Sequence, residues 1–365
     1  MKILKYIILI LILWGIDSFS FFVFGETIGG YVSHLTFILL LGYYFFARKR
    51  PVIIPLAILG VSYFIISGLT YIDNYEVYIN EFIKYGILII CGAEVARDTS
   101  SKELILFLLI GAASVLIHSL FFADNYGRYS GFYLNPNGAA FVCLIGYCLT
   151  FNISNKTTKY LFTFIFTFAG ILTFSRFFFL MWFLITLLSA ISNKKNLQLF
   201  GIGIGTLALL ISFATILQVN TTRFSLLIGL LNNNAQTERL TEDSRMSRWS
   251  TYYNDILDKP IFGNGYKSFS GIDNIKQGVH NTYLMVLGEA GIIPFLIIIG
   301  IYLYLIRKTI YGYKTNTDKL LLAISLSAIL LTMHNYFNYY LILFITIWLF
   351  NRVSTNNSQE NEITL

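Results

Sequence analysis

Long apolar runs alternate with short polar gaps along nearly the whole chain. A bilayer core takes about 20 apolar residues per helix, and that window gives about twelve candidate spans. They lie at roughly 5–24, 31–46, 52–69, 79–96, 104–123, 131–151, 159–174, 176–192, 197–217, 282–306, 319–334 and 336–351. The seventh and eighth are nearly continuous. They are divided at Ser175-Arg176, because a helix running through Arg176 would hold a guanidinium in lipid at a cost of about 3 kcal/mol or more. One stretch departs from the pattern. Residues 218–281 are polar, with Asn232-Asn233-Asn234 near the start and a charged run from Glu238 to Arg248. Asp243 or Ser244 is placed to N-cap a short helix there. On it Arg245, Arg248 and Tyr252 recur at i, i+3 and i+7, and Trp249, Tyr253 and Ile256 form an adjacent apolar stripe. Such a helix is expected to lie in the membrane interface, aromatics toward lipid and arginines toward headgroups. The following Lys259-Pro260-Ile261-Phe262-Gly263-Asn264-Gly265 reads as a stop and turn. No internal repeat is visible.

Composition sharpens this picture. Hydrophobic residues make up 56% of the 365 and charged residues 12%, against roughly 25% charged in an ordinary soluble domain. A soluble enzyme, a disordered chain and a collagen-like repeat are excluded. The 33 Phe and 25 Tyr suit aromatic belts at two interfaces. Cys91, Cys143 and Cys148 sit in apolar runs without a CxxC pair, so they read as small buried hydrophobes rather than a zinc or disulfide framework. The opening Met1-Lys2-Ile3-Leu4-Lys5 imitates a signal peptide. No small-residue cleavage site follows and Asp17 interrupts the run, so it is expected to be a retained first span.

Positive charge orients the spans. Numbering the gaps alternately, one side holds 16 Lys and Arg, while the short gaps on the other hold only Lys84, Arg128 and Arg176. The asymmetry places both termini in the cytoplasm and residues 218–281 outside. The expected organisation is an all-α polytopic bundle of about twelve transmembrane helices. Residues 1–217 form an N-terminal bundle of about nine spans and 218–281 an extracytoplasmic loop with an interfacial helix. Residues 282–351 form about three C-terminal spans, and 352–365 a cytoplasmic tail.

The outer gaps concentrate the polar chemistry: Arg128-Tyr129-Ser130-Gly131, Asn135-Pro136-Asn137, Ser175-Arg176, Arg245-Met246-Ser247-Arg248-Trp249, His280-Asn281 and His334-Asn335. Arginines placed against the positive-inside trend need another reason, and binding an anion at the outer face is the simplest. In this setting the run Arg245–Trp249, then Pro260-Ile261-Phe262-Gly263-Asn264-Gly265-Tyr266, His280-Asn281-Thr282-Tyr283-Leu284 and Gly288-Glu289-Ala290-Gly291-Ile292, resembles the signature of the O-antigen ligase/polymerase family. Gly131–Asn137 and Thr173-Phe174-Ser175-Arg176 are similar to that family's upstream motifs, and together these cover about 128–295. The first hundred residues resemble the family only in being hydrophobic spans.

The resemblance implies a metal-independent glycosyltransferase of the C-type membrane fold, without a cofactor. Its donor would be a glycan on undecaprenyl pyrophosphate. Its acceptor would be a sugar hydroxyl on a second lipid-linked glycan (a polymerase) or on lipid A-core (a ligase). Further partners would be membrane lipids and a chain-length regulator; nucleic acid has no place. Arg176 matches the family's Ser-Arg motif, Arg245 or Arg248 its loop arginine, and His280 its histidine, to which the family gives the role of general base.

The residue chemistry agrees with those roles. Breaking a sugar–pyrophosphate bond builds negative charge on phosphate, and guanidinium offers a permanently charged planar fork for it. His280 titrates in the right range to take the acceptor proton. A single displacement would invert the anomeric centre. Arg128, Asn135, Asn137, Asn281, Glu289 and His334 complete the candidate set, in contact with substrate or behind those that are. Each also has a plain structural reading. Arg176 can snorkel, Arg245 and Arg248 can meet lipid phosphate, Arg128 can pair with Asp124, Asn135 and Asn137 can shape a turn, and Glu289, whose functional role would be to orient His280 or pair with an arginine, can be a protonated or hydrogen-bonded packing residue. Polymerase is preferred over ligase because every repeat-unit polymer pathway of this type needs one. A flippase for the same lipid-linked glycan is the alternative from another class, and it would hold its charges near the midplane on broken helices.

Overall fold

Every regular element among the described residues is a helix. The computed structural model describes residues 1–71, 75–122, 128–213, 245–271 and 277–354. In chain order these are α1 Lys2–Leu13, α2 Ile16–Phe24, α3 Glu26–Phe46, α4 Ile54–Gly68, α5 Tyr75–Ile87, α6 Ala93–Arg97, α7 Ser101–Phe121, α8 Pro136–Thr150, α9 Lys156–Leu172, α10 Arg176–Ser192, α11 Leu199–Phe213, α12 Arg245–Ser250, α13 Tyr253–Asp258, α14 Thr282–Ala290, α15 Ile292–Ile310, α16 Thr317–Ile329 and α17 Tyr340–Ser354. Each of the twelve apolar segments holds a helix. By length and composition, α3, α7 and α15 are each sufficient to cross a membrane, and α1 with α2 makes a bent pair that passes the same test. The helices α4, α8, α10 and α17 are apolar but shorter.

Three segments are less continuous than their hydrophobicity suggests. The run 5–24 turns by 62° between α1 and α2, where Gly15 takes a left-handed φ of 61°. The run 79–96 passes through a π turn, Leu88–Gly92, between α5 and α6. The run 282–306 is broken at Gly291, between α14 and α15. Hydropathy windows average over such breaks because a turn of one or two residues hardly changes the mean.

Burial separates a centre from a rim. In α8 every residue from Gly138 to Thr150 is buried, and in α17 every residue from Leu341 to Phe350. A helix apolar all round and buried all round is a core helix. Around them, Phe22, Phe45, Phe46, Leu180 and Ile191 stand more than half exposed. An apolar belt of that kind needs lipid rather than water. All three cysteines are free and buried.

Ends assigned to the same side of the membrane meet one another. At the end assigned to the cytoplasm, Lys5 pairs with Glu103 at 2.7 Å and Trp348 Nε1 donates to the Thr99 carbonyl at 2.9 Å. Arg50 and Arg97 both pair with Glu94, whose side chain is 1% exposed. Removing one member of a buried ionic group leaves the others uncompensated, a loss of about 3–5 kcal/mol. Glu94→Ala should therefore lower the unfolding midpoint in detergent markedly, while Lys308→Ala in the last turn of α15 should leave it in place. Equal midpoints for the two variants would show that the cluster carries no stability.

Candidate functional site

Four non-glycine residues among those described take left-handed backbone conformations: Leu134 (φ 57°), Phe174 (φ 47°), Lys267 (φ 62°) and His280 (φ 47°). Such conformations cost of order 1–3 kcal/mol each and persist where the surroundings impose them. Three of them fall in the motifs singled out from the sequence and launch a helix, while Lys267 directly follows the motif that ends at Tyr266. Leu134 precedes Asn135-Pro136, where α8 starts; Phe174 precedes Ser175-Arg176, where α10 starts; His280 precedes Asn281, where α14 starts. Proline at the first position of α8 loses no intrahelical hydrogen bond. The Asn281 side chain caps α14 by accepting from the Tyr283 and Leu284 amides at 3.0 and 3.3 Å.

Two groups of candidate residues form. In the first, the Arg128 guanidinium donates to Asn137 Oδ1 at 3.0 Å and to the Thr173 carbonyl at 3.1 Å. Ser175 Oγ donates to the same Asn137 Oδ1 at 3.2 Å. The Asn137 amide donates to Asn135 Oδ1 at 2.8 Å. These bonds bring the N-termini of α8 and α10 side by side, with Arg176 exposed at the first position of α10. A cation there opposes the helix dipole, whereas an anion there is favoured.

The second group centres on two histidines. His280 and His334 approach at 3.1 Å between their Nδ1 atoms, with the rings nearly perpendicular at 87°. His334 lies in the turn between α16 and α17. Burial, with the positive field of Arg248 added, pushes its pKa below the ordinary imidazole range, which places Arg248 near the pair. His334 also lines a cavity of about 190 Å³ with Tyr63, Glu81, Tyr266, Lys267, Ser270, Met285 and residues 335–338. Glu81 is the hub of its polar wall. It accepts from Tyr266 Oη, pairs with Lys267 at 3.1 Å and accepts from Asn338 Nδ2 at 3.2 Å. On the aromatic wall, Tyr63 stacks on Phe337 with ring centroids 3.7 Å apart. The 333–339 turn links the groups, with His334 at one end and, at the other, the Tyr339 hydroxyl against Gly138 of α8, 2.8 Å from where a Cβ would sit.

Glu289 stands behind this cavity. It is 1% exposed, accepts from Tyr63 Oη and receives the Phe269 amide at 3.0 Å. It therefore clamps the loop to α14. The loop backbone joins in, with the Asn264 amide donating to the Gly288 carbonyl at 2.7 Å and the Gly265 amide to the Glu289 carbonyl at 3.1 Å. Two of the family-like motifs thus clasp each other, and their glycines are needed for it. A Cβ on Gly291 would lie 1.9 Å from the Ile261 carbonyl oxygen, and one on Gly263 would lie 2.4 Å from the Glu289 carbonyl carbon. Both also have positive φ. Gly291→Ala should lower the melting midpoint in detergent by the equivalent of about 1–3 kcal/mol from backbone strain alone, with Gly300→Ala, which meets open space, as the neutral control.

The expected interfacial helix is revised. It forms as two short pieces, α12 and α13, divided at Thr251-Tyr252. Tyr252, assigned by its spacing to the arginine face, is 1% exposed, packs on Phe269 with ring centroids 4.6 Å apart and donates to the Gln277 carbonyl at 2.6 Å. Tyr253, assigned to the apolar stripe, is 45% exposed. The break shifts the helical phase, so a single 3.6-residue wheel mislabels both tyrosines. Ile256 is buried and Trp249 partly so, as the stripe predicts. Asp243, Ser244 and Asp124 lie outside the described residues, as does the Arg245 side chain.

Glu81, Lys267, Tyr63 and Tyr266 were not singled out from the sequence. The available signal was Glu81 itself, a carboxylate near the start of an apolar segment and three residues before Lys84. His118 was also passed over; its Nδ1 receives the Ser130 and Gly131 amides at 3.2 Å each and holds the loop after α7.

No curated protein matches the chain. A family model does: residues 161–299 match O-antigen ligase, a range that holds Arg176, Arg245, Arg248, His280 and Glu289 but not Arg128, Asn135, Asn137, Glu81 or His334. Residues 161–299 of this chain, which carry most of the motifs described above, are therefore similar to the O-antigen ligase family.

Proposed function

We propose that this protein is a membrane glycosyltransferase that polymerises undecaprenyl-pyrophosphate-linked repeat units at the outer face of the bacterial cytoplasmic membrane. The observation that carries the reading is the pairing of His280 with His334 beside a small polar and aromatic cavity, joined by the 333–339 turn to the N-terminus of α8, where Arg128 bonds to Asn137. The cavity is small beside the roughly 300–1,000 Å³ typical of drug-sized ligands, so it would take the end of a glycan, one sugar or so. The acceptor hydroxyl gives its proton to His280 and its oxygen bonds to the donor's anomeric carbon. The bond from that carbon to the phosphate oxygen breaks with its electron pair, and the charge is received by Arg176, by Arg248 or Arg245, and by the amides opening α8 and α10. Attack opposite the leaving group inverts the anomeric centre. Arginine supplies the positive charge in this scheme, so activity should persist in EDTA.

The architecture belongs to the same proposal: about twelve spans of about 20 residues, both termini cytoplasmic and the loop outside. Leu257 and Leu197 are both exposed. Leu257→Cys should react with an impermeant thiol reagent in intact cells (after permeabilising any outer membrane), and Leu197→Cys should not. The reverse pattern would invert the topology.

A flippase fits less well. Two of the acids inside apolar segments are engaged at the ends of the bundle, Glu94 with Arg50 and Arg97 and Glu289 with the loop. A ligase shares all of the chemistry and differs only in acceptor. The deciding experiment supplies the purified protein in vesicles with lipid-linked repeat units alone. Lengthened products on the prenyl carrier mark a polymerase. Transfer that requires added lipid A-core marks a ligase. Movement of intact lipid-linked glycan across the bilayer without new glycosidic bonds would refute both.

A further inference from the structure

We propose that His334 is the positioning residue of a histidine dyad, its unprotonated Nδ1 accepting the Nδ1–H of His280 and thereby fixing His280 in the tautomer whose Nε2 takes the acceptor proton. The inference rests on the transfer chemistry proposed above and adds the partner that makes His280 a base.

The geometry restricts the choices. At 3.1 Å between the two Nδ1 atoms, one must carry hydrogen and the other must not. Two bare lone pairs or two N–H groups would repel. If His334 donated, His280 would accept at Nδ1, its hydrogen would sit on Nε2, and it would have no lone pair left for the substrate. If His280 donates, its Nε2 is basic. The surroundings favour the second arrangement. His334 is enclosed, with Gly278 packed so closely that a Cβ there would lie 2.7 Å from His334 Nε2. The guanidinium of Arg248 opposes positive charge on His334. The other charged groups lining its cavity are Glu81 and Lys267, which are paired to each other. His334 is therefore the ring that stays neutral and accepts.

When His280 takes the acceptor proton at Nε2, the resulting imidazolium keeps its Nδ1–H on His334. No proton passes to His334. Its role is that of an orienting acceptor, filled elsewhere by a carboxylate or a backbone carbonyl. The left-handed φ of His280 and the cap at Asn281 hold the ring on the turn from which it meets His334.

Two measurements test this. The chain has four histidines, so ¹⁵N-histidine NMR of the protein in nanodiscs can read each tautomer. The expected result is Nδ1–H on His280, a bare Nδ1 on His334 and a coupling across the hydrogen bond that disappears in His334→Asn. A hydrogen on His334 Nδ1, or Nε2–H tautomers in both rings, overturns the proposal. In the transfer assay, His334→Ala should lower turnover on the order of 100-fold with little change in KM, the scale of one acid–base contribution. Its acid limb should move to lower pH, because the His280 imidazolium loses its acceptor. His334→Asn, which keeps an acceptor oxygen, should recover most of the rate. Wild-type turnover in His334→Ala, or no recovery in a well-folded His334→Asn, overturns the dyad. Undiminished transfer in His280→Ala would instead refute the proposed function, while the NMR result would still report on the inter-ring bond.

Discussion

Replacing His280 should stop glycan transfer while leaving the protein in the membrane, so that single lipid-linked repeat units accumulate and the polymer ladder disappears. The expected loss is about 10²–10⁴-fold, the usual contribution of a positioned general base, or about 3–5 kcal/mol of transition-state stabilisation. Alanine alone is an ambiguous replacement. His280 sits at φ 47°, a conformation that alanine accepts poorly and asparagine accepts more readily. His280→Asn is therefore the informative variant. It should fold with a melting midpoint near that of the parent and be as inactive as His280→Ala, because its amide cannot take a proton. The pH dependence follows with a definite sign. The base works only when neutral, so the parent's rate should fall toward acid pH, while residual activity in His280→Asn should lack that limb. A normal length distribution in His280→Asn at normal protein level would remove His280 from the chemistry.

The readable part of this protein was whatever repeats or stands against a trend. Apolar runs gave the positions of the helices because burial and lipid contact both demand apolar side chains over whole turns. Arginines in the gaps assigned to the outer side gave the motif turns because nothing in topology places them there. Breaks within apolar runs were not legible. Gly15 and Gly291 carry left-handed backbone, yet glycine is also common within helices, and only the Ile261 carbonyl against Gly291 shows why that one is a corner. The phase slip at Thr251-Tyr252 was equally hidden, since each half alone obeys the helical period. The His280–His334 contact joins residues 54 positions apart, and Glu81 meets Lys267 across 186. Composition and spacing contain no record of such pairings. They come from the way α14, α16 and α17 bring the loop end and the 333–339 turn together.

Arg176→Ala should lower turnover about as much as loss of the base, and Arg176→Lys should recover only part of it. Arg176 is the first residue of α10, exposed, after the Ser175 cap position. A cation at a helix N-terminus is disfavoured by roughly 0.3–1 kcal/mol, so its presence there is explained best by an anion shared with the helix amides. Removing one preorganised charge-stabilising group costs on the order of 10²–10³-fold in turnover. Lysine keeps the charge but loses the planar fork that meets two phosphate oxygens together, so an intermediate rate separates bidentate binding from a plain field effect. Lys308→Ala, on the face assigned to the cytoplasm, should be unaffected, which separates a site requirement from general attraction to anionic lipid. The loop arginines can be ranked in the same assay. Arg248 reaches His334 with its field, and it lies one helical turn beyond Arg245. Arg248→Ala should therefore cost more than Arg245→Ala, and it should also relieve the smaller part of the His334 pKa depression, burial remaining as its main cause. If Arg245→Ala proves the more damaging, the pyrophosphate is held away from the histidine pair, and the donor and acceptor ends of the site must be separated along the 333–339 turn.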